Sequence, residues 1–502
     1  MNIELIGALD YNKVNNILSQ YIDDDTKIDE IINNIKSLEK SRHSEIVATA
    51  GRLSRFPGDA LEVLKLSESK TEQANINFAN RVAGMGHKSI TDHDYLVFAI
   101  KDVSVIIEQM IIAERFASFT IKSRREADFS KSGYYIPDFH DEQGNILENN
   151  NELKEKYINH MNKLFNNYKE LLDLGIIQED ARFILPYCFY SNIIMGCDAH
   201  TLLDMIIKFT KTKYAKVDEF RIFGEKLYEI AKEYTPYLIP IIDKVEVKDE
   251  DSVDTYLDGL VKRDDYQIID KVKILNSSSN IDDQILVSAI MRRYQYDYLQ
   301  AKKIYDKLCK EDESFKLELM KKIAFEGDKL ELSQVNFQFQ IPVSYAILTH
   351  LTRHRTHKIM VPDFFPNVDL MQYKIPPKIK RQNSEFYDQI YLDNKKVYDE
   401  FKKLGVRDED LIYFTLSGNM TNVLTNMDGW TVRHILELRE CNKAQWETRD
   451  IARGIHDEIK SLESAKIFEQ VLGSTCVTQG ICNEGKESCG KIKTLNKRKN
   501  NN

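Results

Sequence analysis

At roughly 150 residues per domain, a chain of 502 residues implies two or three folded units; 42% hydrophobic and 30% charged residues exclude general disorder and a disulfide-dense miniature fold. A net charge of −9 has the wrong sign for a protein that coats nucleic acid, so no nucleic-acid partner is expected. The opening residues carry no signal-like pattern, no apolar run approaches the ~20 residues of a spanning helix, and four of the seven cysteines are scattered; a cytoplasmic protein with reduced thiols and no membrane partner is expected.

In chain order, the first distinctive segment is Gly86-His87-Lys88-Ser89-Ile90-Thr91-Asp92-His93. Its two histidines lack the i, i+4 spacing of a helical metal pair and have no evident third ligand, which points to a polar loop against a ligand rather than to zinc. Residues 95–104 (YLVFAIKDVS) predict a strand. Ile106, Ile107, Met110 and Ile111 then recur with helical period. Residues 201–209 (TLLDMIIKF) predict a helix opened by Thr201.

The chain then repeats itself. Residues 103–115 match 343–355 without a gap, 240 positions apart, both opening Val-Ser and closing with Arg. Ile136-Pro137 recurs as Ile375-Pro376 at an offset of 239, and the segment from Asp198 meets that from Asp428 at an offset of 230. In the second copy Val335, Phe337, Phe339 and Ile341 alternate as a strand. Ala346, Ile347, His350 and Leu351 continue as a helix, and residues 431–439 (TVRHILELR) form another. The expected architecture is α+β, with two tandem domains, each a β-sheet with packed helices. The expected boundaries are residues 1–245 and 270–470, joined by an acidic linker over 246–269. A cysteine-bearing, basic, partly disordered tail spans 471–502.

The second copy's helix ends in Arg353-His354-Arg355-Thr356-His357-Lys358. Forked guanidinium donors suit phosphate or pyrophosphate, while cations gathered at a helix C-terminus also complement its dipole. The first copy reads Ala113-Glu114-Arg115 there, so the copies are not equivalent. Trp430 and Trp446 read as packing aromatics. Cys476, Cys482 and Cys489 lack a C-x-x-C signature; three thiols could take zinc with a fourth ligand from elsewhere, and no metal site is assigned.

Residues 86–93, Ser123-Arg124-Arg125, the segment 185–192 (LPYCFYSN), Arg353-His354-Arg355 and residues 438–447 (LRECNKAQWE) together resemble the flavin-dependent thymidylate synthases across most of the chain. The resemblance implies FAD as cofactor, with NADPH and methylenetetrahydrofolate as co-substrates in the conversion of dUMP to dTMP. It assigns the flavin side to His87, Ser89, Asp92, Arg353, His354, Arg355 and His434, and dUMP binding to Ser123, Arg125 and His350. Arg439 takes the catalytic place beside the uracil carbonyls, where positive charge stabilises developing enolate. It also implies nucleotide and folate as small-molecule partners, and a homodimer forming a pseudo-tetramer in which one copy supplies what another has lost.

Departures accompany the resemblance. Asp92 stands where Glu is usual, and residues 120–126 (TIKSRRE) lack the acidic residue and the Tyr of the family pattern. Residues 360–366 (MVPDFFP) have neither the Ser nor the Arg, and Asn192 and Asn422 replace a further Arg. The alternatives are a flavin- or nucleotide-binding paralogue with altered substrate or lost catalysis, and a non-catalytic assembly protein.

Overall fold

The computed structural model describes residues 1–248, 251–258, 260–261, 267–363 and 369–494. Part of the acidic stretch, Phe364, Phe365 and Pro366 of the second copy's departure, and residues 495–502 of the tail lie outside the described residues. The chain divides into two compact units: Met1–Asp264 with Pro376–Leu416, and Asp265–Ile375 with Ser417–Asn502.

The first unit is built on an antiparallel four-stranded sheet of β1 (Asn2–Leu5), β2 (Tyr95–Ser104), β3 (Ser118–Ile121) and β4 (Tyr190–Asp198), in the order β1-β2-β4-β3. The second repeats it with β5 (Lys273–Ser277), β6 (Asn336–Ser344), β7 (Lys358–Met360) and β8 (Met420–Asp428), in the order β5-β6-β8-β7. The α+β architecture and the duplicated sheet therefore stand. The strand predicted at 95–104 is β2, whose Leu96, Phe98 and Ile100 point into the core. In β6, Phe337, Phe339 and Ile341 are fully buried on one face. Period-two alternation puts every second side chain on the same face, so one apolar face binds each sheet to its helices.

The sequence reading missed the central strands β4 and β8. Their inward faces include Ser191, Cys197, Thr421 and Thr425, all buried, and these small polar groups interrupt the apolar alternation that marks a strand. In β2 the register slips between Lys101 and Val103, where Asp102 adopts φ 57°. The second copy has Pro342 at that place and keeps a regular register with β8.

The helices after β2 and β6 are Val105–Ile112 and Tyr345–Thr352. Both are buried on nearly every side rather than along one stripe, a stronger result than their periodicity predicts. The helices Ala199–Lys211 and Gly429–Arg439 are opened not by Thr but by Asp198 and Asp428, whose carboxylates accept from the amides of Thr201 and Thr431 at 2.7 Å each.

The shared Val-Ser has a structural cause. In each copy a buried carboxylate in the first turn of a helix more than 100 residues later, Asp218–Tyr234 or Trp446–Lys460, captures the serine. Ser104 N donates to Glu219 at 2.8 Å, and Ser344 donates to Glu447 from its amide at 2.9 Å and its hydroxyl at 2.7 Å.

Residues 376–416 belong to the first unit although they lie in the second repeat. Their helix Ser384–Lys403 packs on Asn150–Asp173, with His160 Nε2 2.8 Å from Asn394 Oδ1. Phe414 meets Tyr157 edge-on at 5.5 Å, and Tyr413 donates to Glu219 at 3.1 Å. Within the acidic stretch, Ser252–Asp258 is helical and Asp254 pairs with Lys213 at 2.6 Å.

Candidate functional site

In the second unit the helix Tyr345–Thr352 ends with Arg353, and a turn carries the chain to β7. His357 fixes that turn. Its buried Nε2–H donates to the Leu351 carbonyl at 2.9 Å, which leaves Nδ1 to accept from the Thr425 hydroxyl at 2.8 Å. Arg353 and Arg355 are exposed on either side of half-buried His354. Pinning at both ends fixes the backbone turn that carries the three side chains.

The helix Gly429–Arg439 supplies the other wall. Arg439 donates from Nε and Nη2 to His354 Nε2 at 3.1 and 3.0 Å, so the imidazole accepts there and carries its proton on Nδ1. Burial, and then the neighbouring Arg439 guanidinium, push His354 down to about 3, which keeps it neutral near pH 7. His434 meets His354 edge-on at 6.0 Å, and Trp430 stacks on His434 at 5.6 Å with 3° between the planes. Burial lowers His434 as well. Arg433 points inward instead, paired with Glu437 at 3.3 Å and lying over the Phe325 ring at 4.9 Å. Trp430 thus stacks at the candidate site, beyond the packing role read from sequence. The structure brings together Arg353, His354, Arg355, His434 and Arg439, with half-buried His350 on the last turn of the same helix.

The first unit has closed the corresponding place with an ion pair, Glu114 to Lys208 at 2.8 Å. What it keeps is a cleft of about 830 Å³ lined by Arg52, Arg55, Arg81, His87, Ser89 and Asp92, with Phe78 and His93 beside them. Arg52 is buried, donates to Ser67 Oγ and Asn75 Oδ1 at 2.7 Å each, and lies over the Phe78 ring at 4.5 Å. Asp92 is engaged by His200 Nδ1 at 2.9 Å. His87, Ser89 and Asp92 are therefore neighbours in one cationic cleft.

The three arginines of that cleft escaped the sequence reading. One signal was present: Arg52 stands 240 residues before Arg292, the repeat's own offset. The second unit has a corresponding cleft of about 690 Å³ around Arg292, Gln295, Tyr296, Leu330 and Gln334. There Arg292 is neutralised by Asp328 and Glu331, and Glu331 also takes Arg293 at 2.6 Å. The arginine-lined cleft of the first unit thus has an ion-paired counterpart in the second, and the Arg-His-Arg row of the second has an ion-paired counterpart in the first.

Ser123 and Arg125 form a third group, in the first unit. The Arg125 amide donates to Ser123 Oγ at 3.3 Å, while its guanidinium Nε donates to Glu179 at 2.6 Å. Arg124 turns inward to buried Glu108 at 2.9 Å, and the Ser191 hydroxyl donates to that same carboxylate. Asn422, at the site of an expected arginine, pins the chain before β5. It accepts from Ile269 N at 3.1 Å and donates to Gln267 O at 2.8 Å.

The description of the family named thymidylate synthase complementing protein matches residues 37–237 and again 274–462. Curated relatives include the flavin-dependent thymidylate synthase of Pyrococcus abyssi, 34% identical over 126 residues, which are 24% of this chain and 49% of that protein. The enzyme of the same name from Thermococcus onnurineus is 33% identical over the same shares. That from Clostridium tetani is 28% identical over 191 residues, 34% of this chain and 76% of the relative. For the first of these, the chain spans about half the length of the curated relatives it matches. Among the described residues, no helix is long and apolar enough to cross a membrane.

Proposed function

The chain belongs to the thymidylate synthase complementing protein family, as two tandem copies, and on that premise we propose that it is a flavin-dependent thymidylate synthase that methylates dUMP to dTMP, using methylenetetrahydrofolate and NADPH. The observation that carries this reading is the row Arg353-His354-Arg355 held against Arg439, His434 and Trp430. The donor set suits FAD: exposed guanidinium groups for phosphates, a neutral imidazole as a hydrogen-bonding neighbour, and a flat aromatic wall. When bound, the flavin supplies the hydride and one-carbon relay.

The chain's own residues do the binding and orienting. Arg353 and Arg355 hold anionic oxygens, and His354 stays neutral so that it adds no competing charge beside Arg439. Arg439, oriented by its two hydrogen bonds to His354, is the group assigned to stabilise negative charge developing on the pyrimidine carbonyls. His87, Ser89 and Asp92 form the flavin-side loop of the first copy, and Ser123 with Arg125 receives the nucleotide phosphate once Arg125 exchanges Glu179 for it. His350 lies on the nucleotide side. A homodimer is part of the proposal.

One observation favours a second reading, a paralogue that binds another nucleotide: Arg125 is committed to Glu179. The test is an absorption spectrum of the purified protein, repeated after anaerobic NADPH, followed by an assay of dTMP formation. A flavin spectrum bleached by NADPH and lost in an Arg353→Ala/Arg355→Ala variant supports the proposal. A protein that takes up no added FAD refutes it, and bleaching without dTMP formation selects the paralogue. Sedimentation that finds only monomer removes the dimer.

A further inference from the structure

The C-terminal segment beyond Ser474 has an unusual economy. None of residues 475–494 is buried, and its short helix Thr475–Thr478 and turn Gly485–Glu487 contribute nothing to a core. Gly480, Gly485 and Gly490 adopt φ of 70°, 50° and 80°, conformations that bend the chain back at little steric cost. Such a path is one that a small hydrophobic core does not fix. Below the size at which burial suffices, a metal commonly takes its place.

That path wraps a cavity of about 100 Å³ whose walls carry Cys476, Cys482 and Cys489, and also Cys441 from the turn after the helix Gly429–Arg439. The sequence shows three clustered thiols without a fourth ligand; folding supplies the fourth across a gap in sequence. Cys188 and Cys197 are buried, and Cys309 is elsewhere, so the four are set apart from the remaining thiols.

We propose that Cys441, Cys476, Cys482 and Cys489 form a tetrathiolate zinc site that fastens the C-terminal segment to the end of the helix Gly429–Arg439. Zinc takes four cysteine sulfurs at about 2.3 Å in a closed structural site. Three of the four sulfurs already have a polar neighbour able to donate to a thiolate. Asn442 Nδ2 is 3.7 Å from Cys489, Ser488 Oγ is 3.4 Å from Cys482, and Ser474 Oγ is 3.6 Å from Cys476. Zinc with four thiolates carries a net charge of about −2; Lys443 and Lys491 on the cavity wall attract it while Glu437 and Glu484 oppose it, so the donors beside the sulfurs, rather than net wall charge, stabilise the thiolates. Among the described residues no group of three such side chains is already placed to hold a metal ion. The proposal therefore requires the segment to close around the ion, with release of the thiol protons, so that ligation and ordering of the segment are one event.

The test is metal analysis of the full-length protein, purified with reductant and without chelator. About one zinc per chain is expected, falling at least about tenfold in a Cys482→Ser/Cys489→Ser variant and unchanged in Cys309→Ser. Cobalt replacement should give the intense visible bands of a tetrahedral thiolate site, and chelation should speed tryptic cleavage after Lys486 and Lys491. Circular dichroism of the double variant checks that the rest of the chain remains folded. Zinc retained by a folded double variant overturns the proposal. So does a reduced protein that takes up neither zinc nor cobalt, or disulfides among these four cysteines in a metal-free protein. Iron with a visible cluster spectrum overturns the zinc assignment.

Discussion

The buried serine–glutamate pair that both copies share makes a quantitative prediction in the second unit. Ser344 donates to Glu447 twice, at 2.9 and 2.7 Å, and both residues are buried. Glu447→Ala strips the acceptor from a buried amide and a buried hydroxyl, which costs about 2–5 kcal/mol at roughly 1–3 kcal/mol for each neutral donor left unpaired. Ser344→Ala removes only the hydroxyl bond and costs about 1.5–3 kcal/mol. Because one bond is counted in both single changes, the double variant should fall short of their sum by about 1.5 kcal/mol, well above the ~0.5 kcal/mol expected of independent sites. Urea unfolding followed by tryptophan fluorescence is the natural assay, since both tryptophans, Trp430 and Trp446, belong to the second unit and report on it alone. Simple additivity, or a loss below about 1 kcal/mol for Glu447→Ala, refutes the view that this pair locks the strand to its helix.

Three further outcomes follow from the geometry. Burial pushes Glu219 up to about 7 from an ordinary 4.5; a carboxyl raised in the folded state stabilises below its unfolded value and loses that stabilisation as pH rises, so about 3 kcal/mol should disappear between about pH 4.5 and 7. Glu219→Gln should flatten this dependence in calorimetry of the first unit's transition, and an unchanged slope contradicts the assignment. His354, held near 3 chiefly by burial and then by Arg439, should show no imidazole titration by NMR between about pH 5 and 8, while Arg439→Gln should raise its pKa without reaching 6.5. Glu179→Gln releases Arg125 from its 2.6 Å partner and should tighten dUMP binding by about fivefold in calorimetric titration, the worth of roughly 1 kcal/mol; unchanged affinity would deny Arg125 its phosphate role.

Much of this was legible in the sequence because duplication writes the same physical constraint twice. Val-Ser at a fixed offset pointed to a shared requirement, which proved to be a buried carboxylate at Glu219 and Glu447. The apolar alternation of β2 and β6 was equally direct. The central strands were not, because Ser191, Thr421 and Thr425 meet the core with hydroxyls that find partners only after folding. The row around His354 could be anticipated on one side, from Arg353-His354-Arg355, but the stacking of Trp430 on His434 depends on the helix phase relative to that turn. Arg52 and Arg81 were harder still, since they come from separate helices and converge only through packing around Phe78. A fourth thiol beside the tail cysteines was invisible for the same reason.

The assignment of residues 376–416 to the first unit has an evolutionary consequence. A duplicated gene is ordinarily free to split again, or to discard a copy whose chemistry has decayed. Here a cut at the repeat boundary would leave the first copy without Phe401, Tyr413 and Phe414, the rings that cover Phe139, Tyr135 and Tyr157. It would leave Glu219 without its phenol donor and His160 without Asn394. Fission at that boundary would therefore strip the first unit of packing and hydrogen-bond partners before any question of function arises. The interleaving acts as a ratchet: ion pairs such as those of Glu114 and Asp328 differ between the copies without touching these shared contacts, whereas separating the copies would remove them.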